Sequence, residues 1–192
     1  MSNQWKGYES ELRSGDADRV NEVVEELKEL GVMERAAIFE ECFEGVTDLY
    51  AAHDDGYVRQ SCVRVVEELA PQLPAAVNLQ SEDLESPSAD TVYEQTDAVC
   101  GFLLQAITDE DGRVRHSAKR ALQDAVRTYD ALDEKATIEG LIDELASMAE
   151  DASGKQREHL LEAKEDAEFF MQSGIGRMIQ GFQEEFGDAL DP

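Results

Sequence analysis

The chain has 192 residues, 42% of them apolar and 7% aromatic, enough for one continuous helical core of modest size. It carries 44 Asp and Glu against 17 Lys and Arg, a formal charge of −27. That charge disfavours nucleic acid as a ligand, because phosphate binding rests on cationic neutralisation. No run of about 18 apolar residues is present, so no membrane span is expected, and the first residues have no apolar stretch like a secretion signal, which predicts a cytoplasmic protein.

Residues 1–10 are expected to form a frayed or docked tail, with Trp5 and Tyr8 packing on the first helix. That helix is expected from Gly15 to about Leu30, its apolar residues Val20, Val23, Val24, Leu27 and Leu30 at helical spacing. With no helix of ordinary length before it, this segment (16–31) is expected to be an N-terminal cap. A long helix is expected next, from about Met33 to Ala52, with Ala36, Ala37, Phe39, Cys42, Phe43, Val46, Leu49 and Tyr50 inward. The turn at His53–Gly56 leads into a helix ending before Pro71 and Pro74. Segment 73–88, polar and proline-bearing, is expected to be a flexible insertion. The next helix runs from Ala89 or Asp90 to Ile107, and the acidic turn Asp109–Gly112 opens another that reaches Tyr129. Asp133 starts the next helix, and the turn at Ala152–Gly154 leads to one ending near Ser173.

The turn-and-helix unit recurs. Asp55, Gly56, Val58, Arg59, Ser61 and Arg64 match Asp111, Gly112, Val114, Arg115, Ser117 and Arg120, 56 residues on. Asp151 and Arg157 match Asp109 and Arg115, 42 residues on. Val23–Leu27 and Val65–Leu69 have the same five residues, again 42 apart. The period is therefore 42, with the extra 14 of the middle gap absorbed between Pro71 and Pro87. A period of this length with two helices per unit belongs to helical solenoids.

The unit Asp109, Val114, Arg115, Ala118, Ala121 and Leu122 resembles the second helix of HEAT repeats, and the resemblance covers roughly residues 33–172. It implies an all-α HEAT-like superhelix: a cap at 16–31, units at 33–72, 89–130 and 133–173, and an amphipathic cap at 174–192. It also implies that Asp109, Arg115, Asp151 and Arg157 bond between neighbouring units, and that second helices line a concave surface. The earlier copy departs, with His53 for Asp and Cys62, Val65 and Val66 for Ala, Ala and Leu. The last copy has Gln156 for Val and Lys164 for Leu. The acid excess, with only 6 Lys beside 11 Arg, resembles proteins of salt-accumulating haloarchaea. On that reading the acidity answers the solvent, because molar salt shortens the Debye length to ~3 Å.

The helix after the Asp109 turn departs from the acidic background. Arg113, His116, Arg120, Gln123 and Arg127 are spaced at steps of 3, 4, 3 and 4 and share one face, with Lys119 beside them and Arg64 on the earlier copy. These are the candidate partner-binding residues. The plainer alternative is that they pair with carboxylates of neighbouring helices. A second candidate surface is the C-terminal face of Ile175, Met178, Ile179, Phe182, Phe186 and Leu190, broken by Gly174, Gly176, Gly181 and Gly187. It would serve as a cap or as a docking and self-association segment.

The three cysteines, Cys42, Cys62 and Cys100, lie on apolar stripes and read as core residues. The histidines His53, His116 and His159 form no metal-binding pair, and no phosphate loop, dinucleotide fingerprint or nucleophile elbow occurs. The sequence thus favours a non-enzymatic protein–protein adaptor or assembly factor without cofactor, catalytic residues or metal. The alternatives are a helical-repeat enzyme or small-ligand-binding protein, and a homo-oligomer held by the C-terminal segment.

Overall fold

The computed structural model describes the backbone of residues 3–71 and 87–186, and side chains over 5–71 and 87–172. All regular structure in it is helical. The helices are α1 (Asn3–Arg13), α2 (Ala17–Glu29), α3 (Val32–Ala52), α4 (Gly56–Leu69), α5 (Ala89–Ala106), α6 (Gly112–Ala131), α7 (Lys135–Asp151) and α8 (Gly154–Phe186). No described helix is long and apolar enough to cross a membrane.

Short polar residues set the starts of the helices. Asp16 accepts from the backbone N–H groups of Asp18 and Arg19, Asp55 from Tyr57, Ser88 from Thr91 and Asp111 from Arg113. Each such cap is worth about 1 kcal/mol. Gly154, at φ +57°, makes the left-handed turn into α8, a conformation that costs a glycine little.

The helices pack as consecutive pairs: α1 on α2, α3 on α4, α5 on α6 and α7 on α8. The second members also pack side by side in chain order, α2 on α4, α4 on α6 and α6 on α8. The result is two layers, with α2, α4, α6 and α8 forming one of them. A single apolar cluster runs between the layers from Trp5 to Ala167. The expected inward residues Val20, Val23, Val24 and Leu27 are buried, as are Val114, Ala118, Ala121, Leu122 and Ala125. Cys42, Cys62 and Cys100 are buried free thiols.

Two expectations need correction. The first described residues are docked, with Trp5 and Tyr8 packed inward, but they form a helix of ordinary length and not a frayed tail. Trp5, Tyr8 and Leu12, at steps of 3 and 4, are buried on one side of α1, which packs on α2, α3 and α4. So α2 has a partner and is not half a unit. The seat for α1 is cut into α3, where a β-carbon at Gly45 would overlap the Trp5 indole. Nor does the backbone break near Ser173: α8 continues as one helix to Phe186.

The apolar stripe of α3 also differs in detail. Ala37 is exposed and Arg35 is buried. The Arg35 guanidinium donates to the carbonyls of Leu27 and Leu30, at 3.1 and 3.3 Å. It thereby adds a donor at the carbonyl end of α2, where the Leu27 carbonyl otherwise accepts only from the Leu30 N–H.

Candidate functional site

The buried stripe of α6 turns its other side outward, so helical periodicity alone brings the basic residues to the layer formed by the second helices. There four of them, Arg113, Lys119, Arg120 and Arg127, each find a carboxylate. Arg113 pairs with Asp111 at 2.7 Å, Lys119 with Glu162 of α8 at 2.6 Å, Arg120 with Glu67 of α4 at 2.8 Å, and Arg127 with Asp124 at 2.7 Å. Arg127 also lies 5.2 Å over the ring of Phe170, a cation–π arrangement. Gln123 donates to Asp166 of α8 at 2.6 Å, and Gln60 to the Ser117 hydroxyl at 3.4 Å. His116 is exposed on the same face. Arg64 is not part of this row; it donates to Asn21 of α2 at 2.9 Å.

The pairing shifts the titrations. The hydrogen bond from Arg113 holds the Asp111 carboxyl down at about 2. The Lys119 hydrogen bond lowers Glu162, and the Glu67 hydrogen bond raises Arg120. Yet the arginines stay accessible: the side chains of Arg113, Arg120 and Arg127 are 56%, 59% and 47% exposed. Their spacing of seven residues sets them about 10.5 Å apart along the helix at 1.5 Å per residue. The face is therefore a row of half-exposed guanidiniums, each neutralised from one side.

Beneath this row lies a more buried ionic group. Asp109, in the turn before α6, accepts from Nε and Nη2 of Arg59 on α4, at 2.8 and 2.9 Å, and from the Tyr50 hydroxyl at 2.6 Å. Arg59 also donates to the carbonyls of His53 and Asp54. Burial works to raise the Asp109 carboxyl, but the hydrogen bonds from Arg59 and Tyr50 outweigh it and hold it below the ordinary range. Tyr50 is pushed well up, first by burial and then by Asp109. Gly56 leaves room for the Asp111 carboxylate, which a β-carbon there would overlap.

Arg115 occupies the matching place one unit on, where Asp151 is the partner expected from the resemblance. Its Nη1 donates to the carbonyls of its own turn, Asp109 and Glu110, as Arg59 does. Its Nε donates instead to Nδ1 of His159 on α8, at 3.3 Å. Burial lowers the basicity of His159, and the Arg115 charge lowers it further. Arg157 donates to the Ala149 carbonyl at 3.2 Å.

No family model, no curated protein and no solved structure matches the chain.

Among the described residues no group of three or more His, Cys, Asp or Glu is placed to hold a metal ion. Burial pushes the thiols up, Cys42 to about 11 and Cys62 and Cys100 to about 12, so none is a ready nucleophile at neutral pH. The arrangement on α6 offers fixed charges and hydrogen bonds, which is the equipment of binding. The side chains of Ile175, Met178, Phe182 and Phe186 lie outside the described residues, although the α8 backbone reaches Phe186. Sequence reasoning missed Glu67, Glu162 and Asp166 as partners of the row, and no periodic signal marks them. It placed Tyr50 inward but not its bond to Asp109, 59 residues away.

Proposed function

We propose that the protein is a non-enzymatic interaction module, an adaptor or assembly factor built as a HEAT-like solenoid. It works in the cytoplasm of a salt-accumulating cell and docks a protein partner on the face of α6. The observation that carries this reading is the local charge balance. On a chain of net charge −27, the α6 face has its cations matched by carboxylates while the guanidiniums of Arg113, Arg120 and Arg127 remain half exposed. A partner from an equally acidic proteome meets least repulsion there. Arg, with its rigid planar fork, is also suited to interface pairing.

The test is affinity capture from a lysate of the source cells at molar salt, comparing the wild-type chain with Arg113→Glu/Arg120→Glu/Arg127→Glu. Far-UV circular dichroism checks that the variant is folded. A partner held by the wild type and lost from the folded variant supports the reading. A partner retained by both, or no partner with either, overturns the α6 face as the docking surface.

A further inference from the structure

A second, different site lies where α2 ends and α3 begins. An open cavity of about 220 Å³ is bounded there by the end of α2, the first turns of α3, the end of α4 and one side of α5. Its walls are mostly apolar, with Leu30, Val32, Ala36 and Leu69 among them. The charged residues that line it are both cations, Lys28 and Arg35. In a chain with 44 acidic and 17 basic side chains, such a lining runs against the general composition.

Arg35 gives the independent observation. It is only 8% exposed. Its three hydrogen bonds all leave from one nitrogen, Nη2, and go to the backbone carbonyls of Leu27, Lys28 and Leu30. Its Nε is buried with no hydrogen-bond partner, the one side-chain nitrogen or oxygen in that condition among the described residues. Burial lowers the basicity of the guanidinium, and Glu68 on α4, which forms no ion pair with it, restores it only in part. Arg59, the other buried arginine among the described residues, has Asp109 as its counter-ion. Buried polar groups are nearly always satisfied, so an exception calls for a missing partner, and a charge buried without a counter-ion is costlier still. An anion in the cavity would supply both an acceptor and the opposite charge. Lys28 stands at the rim, 46% exposed, where it pairs with the exposed Glu25 at 2.8 Å.

We propose that this cavity binds a small organic carboxylate, one carboxylate group on an apolar body the size of a single ring. The carboxylate lies against the guanidinium of Arg35, a group whose planar donors suit it, with the Lys28 ammonium as a second cation at the rim. The Gln95 amide, also in the lining, offers a further donor. The body lies along Leu30, Val32 and Leu69. The size follows from the volume. An apolar cavity of about 150 Å³ is enough for benzene, so about 220 Å³ has room for a ring and one carboxylate. The site is separate from the face of α6, and neither reading depends on the other.

The probe is benzoate, titrated by calorimetry into the full chain in 1 M KCl. Salt at that level screens the repulsion of a −27 surface for an anion, and a surface of that sign offers an anion no general attraction. The expected result is saturable one-to-one binding, weakened at least tenfold in Arg35→Gln and at least tenfold in Ala36→Leu, which fills the cavity and leaves both cations in place. Benzamide, of the same shape without the charge, is expected to bind at least tenfold more weakly than benzoate. Should Arg35→Gln fail to fold, benzamide and Ala36→Leu decide, because Ala36 is only partly buried and the benzamide comparison uses the wild-type chain. Absence of saturable binding to the wild type overturns the proposal, and that includes the case in which residues 72–86 already fill the cavity. So does benzamide binding as tightly as benzoate, or undiminished binding of benzoate to folded Arg35→Gln or folded Ala36→Leu.

Discussion

Replacing Asp109 with alanine is expected to be among the most costly single changes in the protein. Its side chain is 6% exposed and that of Arg59 is 10% exposed, so solvent screens their pairing little. The substitution removes two charge-assisted bonds to Arg59 and the bond from Tyr50. Stranding a buried charge in this way costs ~3–5 kcal/mol. Arg59 keeps the carbonyls of His53 and Asp54 and the rim carboxylate of Glu110, which moves the expectation to the lower end, ~3 kcal/mol. For a chain of this length that is a fall in Tm of ~6–12 °C, at ~2–4 °C per kcal/mol. Asp109→Asn keeps an acceptor for Tyr50 and is expected to cost about half as much, in line with the smaller worth of neutral hydrogen bonds. The assay is urea unfolding at fixed molar salt, run as a cycle with Arg59→Ala, with an expected coupling of ~2 kcal/mol. Because its hydrogen bonds hold the folded Asp109 carboxyl low, its contribution is present above the ordinary carboxylate range, ~3.9, and is lost as pH falls through the lower folded value. A loss under ~0.5 kcal/mol, the scale of an ordinary surface substitution, would refute the reasoning.

Gly45→Ala is expected to dislodge α1, because the new methyl overlaps the Trp5 indole; the cost should be ~1–3 kcal/mol, as for other overpacked sites. A red shift in the emission of the chain's one tryptophan checks it, and unchanged emission with unchanged Tm contradicts it. His159 is less basic in the fold than when exposed, so the unfolded chain takes up its proton first. Its stabilising contribution is complete above the ordinary histidine value, ~6.5, and declines as pH falls below that. His159→Gln should therefore flatten the loss of stability between about pH 7 and 5, a window set by that ordinary value, and identical slopes would count against the Arg115 contact. The buried thiols, at about 11 for Cys42 and about 12 for Cys62 and Cys100, should resist an aromatic disulfide reagent under mildly alkaline conditions until the chain unfolds, and rapid reaction in the native state would show an open core.

Periodicity made most of the helices legible, because each buries a stripe at helical spacing and several begin at a short acidic cap. Two further features carry a signal that is plain only beside the structure. Trp5, Tyr8 and Leu12 stand at helical steps, and Gly45 sits in the middle of a long helix where only a close neighbour explains it. The basic row on α6 was legible as a face, since position on a helix comes from spacing alone. Its partners were not, because with 44 acidic residues a carboxylate is present at nearly every register. Which one meets Arg120 depends on how α4 lies against α6, and that is a property of packing.

Repetition of a residue does not repeat its bond. Arg59 and Arg115 occupy matching places and both tie down the carbonyls of their own turns. Arg59 then crosses to a buried carboxylate, whereas Arg115 crosses to a neutral imidazole. The seam between α4 and α6 is held by a charge pair that solvent scarcely reaches. The seam between α6 and α8 relies on apolar packing by residues such as Leu160, Ala163 and Ala167, on the more exposed pair of Lys119 and Glu162, on the Gln123–Asp166 hydrogen bond and the Arg127–Phe170 contact, and on a bond that an added proton would remove. Exposed pairs contribute little, ~0–1 kcal/mol, so the two seams are held by different means although the sequence makes their units look alike. The guanidinium row of α6 starts directly after the turn that Asp109 locks onto Arg59. A face meant to meet a partner in one fixed geometry benefits from such a support, because side chains held on a rigid element lose less freedom on binding.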